Sequence, residues 1–134
     1  MKISLIILFS LVLAKSEISL AQAVGHNCGE TNIYEIQSLN ILPWPATAGM
    51  TATLLLSGKF LKNVLIQELI LGTCINNMIW NYEAYDIEQN FEAGEIVTFP
   101  IGAVFPTEKA SYTSTVQLVA GDQICCWQFS YNID

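Results

Sequence analysis

A chain of 134 residues with 5 basic and 12 acidic side chains and no arginine cannot build the basic face that nucleic-acid binding needs. The formal charge of −7 also disfavours steady attraction to an anionic membrane. At 52% hydrophobic and 13% charged, the chain has the apolar excess of either a well-filled core or the wall of an internal ligand cavity, and composition alone does not separate the two.

At the N-terminus Lys2 gives a short positive region, and residues 3–14 (ISLIILFSLVLA) form an apolar run of 12 broken only by Ser4 and Ser10. That is the length of a secretory signal core and short of the ~20 apolar residues of a membrane span. Ala21 and Ala23 supply the small residues of a cleavage site, so 1–23 reads as signal peptide and 24–134 as one mature domain; a cut after Ala14 is the rival. The mature 111 residues keep Lys59, Lys62 and Lys109 against eleven acids, a net charge of −8. One domain of that size can bury a real core.

Cys28, Cys74, Cys125 and Cys126 all follow the signal and so fold in an oxidising compartment. Four cysteines allow three pairings, and the one joining Cys125 to Cys126 is disfavoured because strand neighbours point to opposite faces. A bridge from Cys28 to Cys126 would span 98 residues. Chain entropy assigns such a loop ~4–5 kcal/mol. Zinc is not expected, since no C-x-x-C pair occurs. No N-x-[ST] sequon occurs either, so N-glycosylation is not expected.

The mature chain then alternates short apolar-patterned runs with turn residues. The first is 35–42 (EIQSLNIL), where the step from Ile36 to Leu39 breaks strict alternation and predicts a bulge; Pro43-Trp44-Pro45 ends it, and 46–49 is a turn. Further strands are predicted at 51–57 (closed by Gly58), 64–72, 78–87, 95–101, 112–119 and 124–133. The run 64–72 contains Leu and Glu, so periodicity leaves a short helix open there. Seven strands at near-regular spacing predict an all-β, immunoglobulin-like antiparallel sandwich. In the last strand, alternation puts Cys125, Trp127, Phe129, Tyr131 and Ile133 on the core face and Cys126, Gln128, Ser130 and Asn132 outside. Cys126 would then face outward, where a segment carrying Cys28 could run alongside, and Cys125 inward, leaving Cys74 as its expected partner.

Catalytic chemistry finds little support. The single histidine, His26, sits three residues into the mature chain and reads as solvated tail. There is no G-x-S-x-G, H-E-x-x-H or phosphate-cradling glycine loop. Glu83, Asp86, Glu88, Glu92 and Glu95 read as a loop and its flanks, a solvated acidic edge rather than a calcium loop or a glycosidase carboxylate pair. No enzyme activity, cofactor or metal is expected. The aromatic side chains are dense, which suits either a filled core or an apolar pocket.

An ordered set of landmarks tips that balance. Asn27-Cys28-Gly29 comes first, then I-x-x-L-x-I-x-P-x-P-x-x-x-G from Ile36 to Gly49, then Ser57-Gly58, Phe99-Pro100, Phe105-Pro106, a strand opening at Tyr112, and Cys126-Trp127 in the final strand. In that order they resemble the ML lipid-recognition family, which includes the Niemann–Pick type C2 sterol carriers and the phosphatidylglycerol/phosphatidylinositol transfer proteins. The resemblance implies two sheets that part slightly around a sterol or phospholipid tail, leaving an apolar cavity between them. It implies a Cys28–Cys126 bridge. It implies lipid contact for the inward residues at Leu54, Leu56, Val64, Ile66, Trp80, Tyr82, Phe99, Phe105, Val116, Leu118, Trp127 and Phe129. The chain departs from the sterol carriers in lacking their extra local disulfides, and a Cys74–Cys125 bridge would cross the pocket region.

The expected function is a secreted or endolysosomal lipid-binding or lipid-transfer protein, monomeric, touching membranes or acceptors transiently. The alternative is a secreted lipid-sensing co-receptor or immune-type interaction module, with Trp44 in its Pro-Trp-Pro turn as part of an exposed partner patch.

Overall fold

Side-chain alternation along the chain becomes alternating burial in the structure, a computed structural model that describes residues 22–29 and 32–134. Of the signal reading for residues 1–23, residues 1–21 lie outside the described residues. Two short strands, β1 (Gln22–Ala23) and β2 (His26–Asn27), precede seven long ones: β3 (Tyr34–Leu42), β4 (Thr51–Phe60), β5 (Val64–Ile75), β6 (Ile79–Phe91), β7 (Ile96–Val104), β8 (Ala110–Ala120) and β9 (Gln123–Ile133). The seven long strands fall on the seven expected runs. Residues 64–72, where a helix was open, are strand.

All pairings are antiparallel and form two sheets, ordered β1-β3-β4-β7 and β2-β9-β8-β5-β6. The expected bulge is present as a register shift between Ile36 and Ser38. A second shift lies between Ile66 and Glu68, opposite the stretch of β6 where Glu88 takes a φ of 46°. Pro100 sits in β7, an edge strand, where its missing N–H costs no ladder bond.

Four strands outrun the expectation by three or four residues, and two glycines explain half of this. Gly58 does not stop β4: a Cβ there would lie 2.4 Å from the Glu35 carbonyl oxygen and 2.7 Å from the Tyr34 ring. Gly72 likewise lies inside β5, under the Tyr82 ring. Both are glycine because neighbouring atoms come close, not because the chain turns.

The layer between the sheets is apolar. Leu39, Ile41, Leu54 and Leu56 from one sheet meet Leu69, Leu71, Val116 and Leu118 from the other, all buried. An aromatic cluster closes each end. Tyr34, Phe60, Phe91 and Phe99 pack at one, with Phe60 and Phe91 stacked at 4.4 Å. Trp44, Phe105, Tyr112, Phe129 and Tyr131 pack at the other.

The chain changes sheet at three places beyond its N-terminal segment. The β4–β5 and β6–β7 turns lie together at the Tyr34 end and are tied by backbone bonds, from Phe60 N–H to the Glu95 carbonyl (2.9 Å) and from Gly94 N–H to the Phe60 carbonyl (2.8 Å). Asn63 Oδ1 accepts from Ala93 N–H at 2.9 Å. The longer β7–β8 connection crosses at the Trp44 end. At the N-terminal edge, Val24 donates its N–H to the Leu39 carbonyl (3.0 Å), and the next residues, through Gly25 at φ 87°, pass to the other sheet.

The Cys28–Cys126 disulfide is present, with Cα atoms 5.0 Å apart and a separation of 98 residues. It ties the N-terminal segment to β9, beside a Cys28 N–H to Cys126 carbonyl bond of 3.0 Å. The expected Cys74–Cys125 bridge is not formed: both are buried free cysteines. Cys125 points into the sandwich opposite Leu118, whereas Cys74 pairs with Thr113 and Trp80 on the outer face of the same sheet. A sheet separates the two thiols.

Two smaller corrections concern charged positions. Glu88 belongs to β6 rather than to the loop, because the bulge there lets the strand continue to Phe91; Glu83 and Asp86 lie on that strand as expected, and Glu92 and Glu95 fall in the turn. His26 is not a frayed tail; it is an exposed residue of β2, held opposite Gln128.

Candidate functional site

Ten of the twelve residues assigned to a lipid wall lie in the layer between the sheets. Leu54, Leu56, Ile66, Val116 and Leu118 are fully buried, Phe99, Phe105 and Phe129 nearly so, and Val64 and Trp127 are half-buried against the core. Trp80 and Tyr82 do not belong to this layer. Their cross-strand partners, Cys74 and Gly72, fix them on the outer face of the five-stranded sheet, and the inward side of β6 is carried instead by Ile79, Asn81, Glu83 and Tyr85.

Trp127 is inward, as alternation requires, but sits at the edge. Its indole Nε1–H donates to the Val24 carbonyl at 2.8 Å, and the ring borders a cleft of about 280 Å³ with Val24, Gly25 and Leu39. Trp44, expected as an exposed patch, is half-buried. Its ring meets Phe129 at 6.1 Å, Tyr131 at 6.3 Å and Phe105 at 6.4 Å, all edge-on. The Leu42–Pro43 and Trp44–Pro45 peptides are both cis.

The apolar layer reaches the surface at the Trp44 end. There a depression of about 410 Å³ opens between the end of the β5–β6 hairpin and the β7–β8 connection, lined by Thr73, Ile75, Ile79, Asn81, Pro106, Thr107, Glu108 and Tyr112. Its volume falls in the range of small-molecule sites. Tyr112 forms its floor, stacked on Tyr131 at 5.4 Å and anchored by its hydroxyl to the Glu108 carbonyl at 2.8 Å. Ile79 stands at the rim, 58% exposed.

The polar atoms inside the layer are internally satisfied. The Tyr34 hydroxyl donates to the Val97 carbonyl at 2.8 Å, and Ser114 and Tyr131 share a hydrogen bond at 3.3 Å. Among the described residues no buried side-chain nitrogen or oxygen lacks a partner. Burial pushes the Cys125 thiol up, against the backbone of Tyr34 and Ile33, which pulls it down. Burial also raises the Tyr131 hydroxyl, and it raises that of Tyr34 strongly, with Cys125 adding to the effect. All three groups are therefore neutral near pH 7.

The lipid wall implied by the resemblance leaves out Tyr34, Phe60, Phe91, Tyr112 and Tyr131, all buried in the same core. Tyr131 was legible, since the alternation of β9 already faced it inward. Phe60 was hidden by reading Gly58 as a strand end.

No family model matches the chain, and no curated protein matches it. Among solved structures it is similar to the C-terminal domain of Wzt, with a TM-score of 0.57 and 12% sequence identity over 84% of this chain and 78% of that one. Identity that low speaks to the β-sandwich fold alone.

Proposed function

We propose that the protein is a secreted or luminal lipid carrier that takes the apolar part of a sterol or phospholipid between its sheets through the mouth at the Trp44 end. The observation that carries this reading is the continuity of a predominantly apolar, aromatic-rich layer with a surface mouth of about 410 Å³ at one end. Two further observations support it. The ordered landmarks from Cys28 to Trp127 resemble the ML family, and the Cys28–Cys126 bridge is the one that resemblance implies.

The mechanism is transfer without a chemical step. Facing side chains hold the two sheets together in this layer, so an inserted tail exchanges ring–ring contacts for ring–ligand contacts while leaving the ladders whole. Apolar surface leaving water supplies ~25 cal/mol per Å². Trp44, Phe105, Phe129 and Tyr131 meet edge-on and offset, and such contacts can re-form around a guest.

Native mass spectrometry of the protein secreted from its own source tests the reading, followed by titration of the delipidated protein with a fluorescent sterol and a fluorescent phospholipid. A co-purifying lipid and saturable uptake of one probe are expected. Ile79→Glu, a charge at the rim, should weaken uptake at least tenfold with an unchanged melting temperature. A stoichiometric protein partner and no uptake of either probe would favour the interaction-module alternative and overturn the carrier.

A further inference from the structure

The outer face of the five-stranded sheet carries a group of side chains that lipid uptake leaves unused. Trp80 and Tyr82 stand there on β6, 40% and 60% exposed, their ring planes 7° apart and centroids 5.7 Å apart. The fold arranges this deliberately. Opposite Tyr82 is Gly72, where a Cβ would lie 2.9 Å from the Tyr82 ring and 2.8 Å from Thr115 Oγ1. The missing side chain lets the ring lie down on the sheet. Opposite Trp80 is Cys74, only 2% exposed although it sits on this outer face.

Across the next strands the same face sinks into a depression of about 400 Å³. Its polar rim is Asn77, Ser111, Thr113, Ser130 and Asn132, and no charged side chain lines it. Thr113 is the other cross-strand neighbour of Cys74, and Ser130 is the neighbour of Thr113. Depression and rings are thus two to three strand spacings apart, ~10–14 Å.

We propose that this face binds a short neutral oligosaccharide, one sugar ring lying on Trp80 and Tyr82 and another, two or three units further along the chain, seated among the hydroxyl and amide groups of the depression. A pyranose is apolar on its C–H face and polar at its rim. The electron-rich face of an aromatic ring accepts the first, and side chains that both donate and accept hydrogen bonds suit the second. Ser111 and Asn132 already bond each other at 2.9 Å, which holds that pair oriented. The lining distinguishes this ligand from others. An anionic ligand would need a cation, and the lining has none. An acyl chain would desolvate five polar side chains without pairing them. A protein partner would want a continuous apolar patch centre, which the depression interrupts.

The disulfide-bonded protein should be passed over an array of neutral glycans, and the best ligand titrated by calorimetry while tryptophan emission is followed. We expect saturable binding with a shift in emission. Trp80→Ala and Tyr82→Ala should each weaken it at least tenfold with unchanged melting temperature. Thr113→Val, which keeps the strand and removes one hydroxyl, should weaken it severalfold and serves where Trp80→Ala disturbs the covered Cys74. Three results overturn the proposal: no neutral glycan retained, affinity unchanged in the ring variants, or sedimentation showing that a second copy of the chain buries both rings.

Discussion

At the scale of single residues, the cysteines show how finely strand parity acts. Cys125 and Cys126 are adjacent, yet one faces the core and the other meets Cys28 outside. Thiol titration in denaturant without reductant should therefore find two thiols, and the native protein almost none, because Cys74 and Cys125 are buried and burial lowers the thiolate fraction at Cys125. A count of zero in denaturant would contradict the free pair. Trp127 and Phe129 should part company on truncation. Trp127→Phe keeps a ring and loses one bond to Val24, costing about 1 kcal/mol, whereas Phe129→Ala empties a core site and should cost ~3–5 kcal/mol. Chemical denaturation of both variants measures the difference.

At the scale of strands, alternation was readable wherever one face meets the core and the other meets water. β9 is the clear case, and every inward residue assigned to it is inward. β6 was unreadable for a physical reason. It is an edge strand with large apolar residues on both sides, Ile79 and Tyr85 on one and Trp80 and Tyr82 on the other, so its pattern does not say which side is the core. The glycines were ambiguous in another way. Gly58 and Gly72 looked like punctuation and are instead close approaches, a distinction that depends on what the neighbouring strand places beside them. Substitution separates the two meanings. Gly58→Ala forces a methyl against backbone and should cost ~1–3 kcal/mol or more, while Gly102→Ala in β7 meets nothing within 4 Å and should stay within about 0.5 kcal/mol of wild type. Equal melting temperatures for the two variants would refute the close-approach account. The candidate lipid site was legible as a set of inward residues on five strands. Its mouth was not, because it is made where the β7–β8 connection meets the β5–β6 hairpin, a contact no local pattern encodes.

At the scale of the molecule, stability should fall on the alkaline side. Cys125, Tyr34 and Tyr131 have ordinary values of 9.0, 10.0 and 10.0, and all three are raised in the fold. The unfolded chain loses these protons first, so stability is full below about pH 9 and declines as pH rises beyond it. Melting temperatures from pH 7 to 11 should show that decline, and a flat profile would contradict it. Reduction of Cys28–Cys126 should remove up to ~4–5 kcal/mol, since it frees a 98-residue loop in the unfolded chain. The sheet-changing turns have a mechanical consequence. Two short, mutually bonded crossings clamp the Tyr34 end, while one longer connection spans the Trp44 end. The sandwich is thus a clothes-peg, its spring at one end and its jaws at the other. Amide exchange should be slow at Phe60 and Gly94, whose N–H groups bond across the spring, and fast along residues 107–109, and a bound lipid should slow only the jaws.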